Sequence, residues 1–178
     1  GKTPIVVCED ADIEGAIAGT LFAAFVASGQ TCVSGARFLI QDKIYDRFVE
    51  GIAARAEQII IGDPMDETTQ MGPVISQKSK DRCLRMIAKA KVDGAKMVAG
   101  ASPLDLPDDF SNGFYVRPTV FKDVEKHHEL FLEEVFGPVI SITRFNDDDE
   151  AMEMANTGTF GLGVSIWSRD IARAHRLS

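Results

Sequence analysis

The sequence predicts an α/β fold: a mainly parallel sheet flanked by helices, of the kind that βαβ units build. Short runs rich in Val and Ile alternate along the chain with longer segments of helical period. A chain of 178 residues with 45% hydrophobic residues is long enough to bury one independent core. No internal repeat and no linker divides it, so residues 1–178 are expected to form a single domain.

The elements follow in order. PIVV at Pro4 to Val7 reads as a buried strand. Asp12 caps a helix whose apolar positions Ile13, Ala16, Ile17, Leu21 and Phe25 fall near helical spacing, and Gly29 suits its left-handed end. RFLIQ at Arg37 to Gln41 is the second strand, and Ile44, Phe48, Ile52 and Ile59 mark the buried stripe of the next helix. GDPMDETTQMGPVIS, from Gly62, is a loop by its Gly, Pro and Asp content. Helix returns from about Ser76 to Val92, then a short strand AKMVAG and a Pro, Asp and Gly segment from Ser102 to Gly113. VRPTVF is extended, because Pro118 biases Arg117 away from helical angles. The last part carries strand VISITRF at Val139 to Phe145 and a helix capped by Asn146 or Asp147. Strand LGVSIW at Leu162 to Trp167 and a helix from Asp170 complete it. The chain starts without Met and stops inside a helical pattern, so both ends are expected to be cut from a longer protein.

A formal charge of -8 and a pI near 4.9 oppose any sequence-independent grip on nucleic acid or anionic lipid. No stretch approaches the roughly 20 apolar residues of a membrane span, and GKTPIVVCED lacks a basic region followed by a longer apolar one. Neither nucleic acid nor a membrane is therefore expected as a partner. Cys8, Cys32 and Cys83 form an odd set without CxxC spacing, which disfavours a disulfide framework and a zinc site. A reducing, cytoplasmic location is the simplest account.

Cys32 lies in SGQTCVSG, a small-residue turn between an apolar helix and a strand, where a side chain can be presented rather than packed. A thiol with an unperturbed pKa of about 8.5 is already a fair nucleophile near neutral pH. Spacing alone is met more often by a buried, inert cysteine. His127, His128 and His175 lie in no catalytic context; the HH pair reads as two solvated histidines at a helical start, and no metal site is expected. EEVFGPV at Glu133 to Val139 could place a carboxylate and a ring in a cleft, although such acidic residues are usually solvated and Phe136 would usually be core. No Gly-rich segment matches a phosphate cradle. Asp147, Asp148 and Asp149 favour the positive end of a helix dipole, and the pattern of a calcium loop is absent.

Six segments in this order resemble the aldehyde dehydrogenase superfamily over nearly the whole chain: GKTPIVVCEDAD, GQTC, GDPMDETTQMGPVIS, GFYVRPTVFKDV, EEVFGPV and FGLGVSIWSRD. The resemblance implies that Cys32 thiolate adds to an aldehyde and that the Cys32 backbone amide helps hold the thiohemiacetal oxyanion. Hydride then passes to NAD or NADP, and water activated by a glutamate hydrolyses the thioester. It implies that Glu134 hydrogen-bonds the nicotinamide ribose, that Phe136 is the ring beside it, and that Gly29 and Gln30 shape the nucleophile turn. Gly62, Pro73, Pro118, Gly137 and Pro138 are expected to be structural, and Gly158 stands where the family usually has a polar residue. The family's general base, oxyanion asparagine, cofactor domain and oligomerisation strand match nothing within residues 1–178. Those residues alone are thus expected to show little or no oxidation, while a full-length, homo-oligomeric parent is active on a small-molecule aldehyde. A coenzyme A-acylating relative and a non-catalytic domain that kept the fold are the alternatives.

Overall fold

A computed structural model of the chain describes residues 1–104, 106, 110 and 112–178. Pro4–Val7 forms strand β1, Ile13–Phe25 helix α1, Arg37–Gln41 β2 and Tyr45–Glu57 α2. Helix α3 spans Gln77–Val92, followed by β3 at Lys96–Ala99, β4 at Thr119–Lys122 and the one-turn α4 at Glu129–Leu132. The chain continues through β5 at Val139–Phe145, α5 at Asp148–Asn156, β6 at Ser165–Trp167 and α6 at Ile171–Leu177.

The strands join one sheet in the order β3-β4-β5-β2-β1-β6. Every pairing is parallel except β3 with β4, as an α/β chain with an antiparallel edge strand requires. Successive strand residues face opposite sides, so Ile5, Val7, Phe38, Ile40, Ile140 and Ile142 pack toward α1 and α2. Val6, Leu39, Phe121, Val139 and Phe145 face the other layer, which includes Cys83 and Met86 of α3, Phe131 of α4 and Met154 of α5. Being covered on both faces is why PIVV and RFLIQ are buried throughout.

The helix starts follow the capping chemistry read from the sequence. Asp12 accepts from Gly15 N–H, Ser76 from Ser79 N–H and Asp170 from Ala172 and Arg173 N–H. Asp147, rather than Asn146, caps α5 by accepting from Glu150 N–H.

Some expected boundaries move. α2 stops at Glu57, so Ile59 packs against the core from beyond the helix. β6 pairs only over Ser165–Trp167, not from Leu162, and β4 begins at Thr119, after Pro118, which has no N–H to donate. α1 ends at Phe25, four residues before Gly29. The histidine pair also departs from expectation: His127 is exposed, but His128 is buried, and its Nδ1 accepts from Glu125 N–H at 3.2 Å. That bond closes the turn ahead of α4, which is why one of the two rings leaves solvent. The loop expected from Ser102 to Gly113 lies partly outside the described residues.

Candidate active site

The site forms at the amino edge of the sheet. Cys32 lies on the segment entering β2, and Glu134 and Phe136 on the segment entering β5; β2 and β5 are adjacent and parallel, with Arg37 opposite Ser141. Segments far apart in sequence therefore arrive side by side. Gly1, entering β1 beside β2, completes the group. A cleft is lined by Gly1, Gly29, Thr31, Ser34, Glu134 and Phe136, among others. Within it the Gly1 nitrogen lies 2.7 Å from Glu134 Oε1. Thr31 and Ser34, on either side of Cys32 in the chain, line the cleft, and Cys32 itself is exposed.

Cys32 sits at the corner of a tight turn closed by Ser34 N–H donating to the Thr31 carbonyl at 2.9 Å. Cys32 is exposed, whereas Cys8 and Cys83 are buried, and burial pushes both of those thiols up to about 11. Of the three sulfurs, only Cys32 can meet a substrate. The turn is preceded by three residues in the left-handed region, Ala27, Ser28 and Gly29, with φ of 50, 57 and 70°. Glycine at the third is required by contact as well as angle. A Cβ there would lie 2.6 Å from the Gly137 carbonyl carbon and 2.9 Å from Pro138 N. The Cys32 turn and the EEVFGPV segment are thus in direct backbone contact. Phe136, beside Gly137, is itself left-handed at φ 53° and half-buried.

Residues 1–178 match the model of the aldehyde dehydrogenase family. The chain belongs to the aldehyde dehydrogenase family. It is 42% identical over 177 residues to a betaine aldehyde dehydrogenase of Brucella anthropi and 41% over 178 residues to one of Rhizobium etli. Each match takes in 99% of this chain and 36% of the relative, so the chain spans about a third of those relatives' length. Among solved structures, betaine aldehyde dehydrogenase from Staphylococcus aureus in complex with NAD+ superposes with a TM-score of 0.95 at 34% identity. That match covers 99% of this chain and 35% of the other. An aldehyde dehydrogenase from Bartonella henselae gives 0.92 at 36% identity, covering 99% and 37%.

Two buried cations are chain neighbours of residues that line this cleft. Arg37, at the start of β2, donates to the Thr157 and Ala155 carbonyls, each at 2.8 Å, and lies 4.7 Å over the Phe131 ring. Its burial lowers its pKa to about 10. Lys2 is buried with its Nζ lacking a hydrogen-bond partner among the described residues. Burial, helped by Arg37, brings its pKa down to about 7 against the opposing pull of Glu134 and Glu133. Neither role was legible in the sequence, because Lys and Arg are ordinarily exposed and nothing local marks these two as interior. Among the described residues, no group of three His, Cys, Asp or Glu is placed to hold a metal, and no helix is long and apolar enough to cross a membrane.

Proposed function

We propose that this chain is the nucleophile-bearing catalytic domain of an NAD-dependent aldehyde dehydrogenase that oxidises an aldehyde to a carboxylate. The observation that carries the reading is the single exposed thiol on a closed turn beside a cleft that holds Glu134. Cys32 thiolate adds to the aldehyde carbon to give a thiohemiacetal. The backbone N–H of Cys32 donates to no other described residue, so it is free to meet the oxyanion that develops. Glu134, a partly buried acceptor that lines the cleft, fits a ribose hydroxyl, and Phe136 supplies a neighbouring ring. These residues suit the nicotinamide end of the cofactor, which takes up the hydride when bound. Activation of the hydrolytic water falls, as the family resemblance implies, to a glutamate outside residues 1–178. A homo-oligomeric parent, which the family resemblance implies, and a cytoplasmic location belong to the same proposal; three free cysteines support the reducing compartment.

The test uses the full-length enzyme mixed rapidly with NAD and betaine aldehyde or a small aliphatic aldehyde, with and without coenzyme A. A burst of NADH that needs no coenzyme A is expected, and Cys32→Ala should abolish both the burst and acyl-enzyme formation. Retention of the burst in Cys32→Ala would falsify the assignment.

A further inference from the structure

Three consecutive left-handed residues, two of them not glycine, do not persist unless their surroundings hold them. The surroundings here are specific. Ser28 is buried, and its Oγ donates to the Gly72 carbonyl at 2.9 Å, with the Pro73 carbonyl also in range at 3.3 Å. No backbone N–H of the described residues donates to either carbonyl, so the hydroxyl satisfies that strand of loop as much as the loop fixes the hydroxyl. Gln30 makes the second tie. Its Oε1 accepts from Ile75 N–H at 2.9 Å, while its Nε2 donates back to the Ala27 carbonyl at 3.3 Å. Both ties run from the Cys32 turn to residues 72–75, more than forty residues away, and the turn's other side rests on Gly137.

We infer that Ser28 is a positioning residue for the nucleophile: its bond to the Gly72 to Pro73 backbone holds the left-handed run that aims Cys32 at the aldehyde carbon. Loss of the hydroxyl leaves the thiol present and exposed but lets the turn that carries it wander. Attack geometry is intolerant of such movement, since a displacement of about 1 Å can lower a rate by roughly a hundredfold. Ser28 does not line the cleft, so ground-state binding of the aldehyde should change little. The inference rests on the reading of Cys32 as nucleophile.

The variant of choice in the full-length enzyme is Ser28→Gly. It removes the hydroxyl while easing the positive φ, so it should fold where Ser28→Ala could fail. Three quantities are read: kcat and KM for the aldehyde, the rate of Cys32 alkylation by iodoacetamide mapped by mass spectrometry, and labelling of Cys8 and Cys83. The expected result is a fall in kcat of about tenfold or more, with KM and the Cys32 alkylation rate within about twofold of wild type, and Cys8 and Cys83 unlabelled. Thr20→Val serves as the comparison, because it deletes a buried hydroxyl bonded only to the Ile17 carbonyl within α1 and should leave kcat unchanged. Wild-type kcat in Ser28→Gly would overturn the inference, as would a loss of rate accompanied by labelling of Cys8 and Cys83, which marks general loosening. Persistent activity in Cys32→Ala instead overturns the nucleophile assignment, so the two failures are told apart.

Discussion

Replacing Gly29 by alanine probes the contact on which the site depends. At φ 70° an L side chain costs ~1–2 kcal/mol. The added methyl would also sit 2.6 Å from the Gly137 carbonyl carbon and 2.9 Å from Pro138 N. Both are backbone atoms, so no side-chain rotation relieves the overlap. Restoring ordinary contact means driving the nucleophile turn and the EEVFGPV segment apart by nearly 1 Å, an overpacking cost of ~1–3 kcal/mol. The sum is ~2–5 kcal/mol of stability. Because the displaced backbones carry Cys32 and Glu134, turnover should also fall by about a hundredfold. Gly94→Ala separates angle from contact: its φ is 96°, but nothing lies within 4 Å of the added methyl. Urea denaturation of the full-length enzyme and its two variants, together with kcat, supplies the measurement. Gly94→Ala should lose only the backbone cost and no activity. Equal stability losses in both variants, with activity intact in Gly29→Ala, would refute the close approach.

Two further substitutions address the charges around the cleft. Lys2 titrates at about 7 in the fold against 10.5 in the unfolded chain, so between those values only the unfolded state takes up the proton. The lysine's cost is therefore absent above about pH 10.5 and complete below about pH 7, where it reaches at most ~5 kcal/mol. Lys2→Met should raise the denaturation midpoint at pH 6 and lose that advantage toward pH 10.5; a gain that does not vary with pH would contradict the buried ammonium. Glu134→Gln should lower kcat/KM for NAD by about ten- to a hundredfold, the worth of a hydrogen bond to a charged acceptor. Alkylation of Cys32 should be unchanged, and an undiminished response to NAD would remove Glu134 from the cofactor's contacts.

Most of the architecture was legible because its determinants are local. Asp12, Ser76, Asp147 and Asp170 stand where their side chains cap a helix, and PIVV and RFLIQ are apolar at positions that two layers must cover. The candidate residues Cys32, Glu134 and Phe136 came from motif resemblance, and the fold brings their segments together at one edge. What could not be read is non-local. The exposure of Ser28's neighbours says nothing of a carbonyl at Gly72, and no pattern within KHHE marks His128 for burial beside Glu125. The end of α1 shows the same limit: Ala27 and Ser28 are acceptable helix formers on propensity, yet tertiary bonds to the MGPV loop set them left-handed.

The choice of edge decides which part of the cofactor this chain can handle. In parallel α/β sheets a diphosphate usually rests at the carboxyl ends of strands, where the helices that follow present their N-terminal amides. Here α1, α5 and α6 follow β1, β5 and β6, so their N-termini lie at the edge opposite Cys32. Each is already filled by its own carboxylate, Asp12, Asp147 or Asp170. The segments that enter β2 and β5 instead offer a thiol, a free backbone amide, a carboxylate and a ring. Such a set can hold an aldehyde and the ribose end of a nicotinamide, but it has no helix dipole or phosphate cradle for the rest of the dinucleotide. The family resemblance implies that a separate cofactor domain grips the diphosphate, and the strand direction agrees with that division, leaving the reactive ends to the segments that enter β2 and β5.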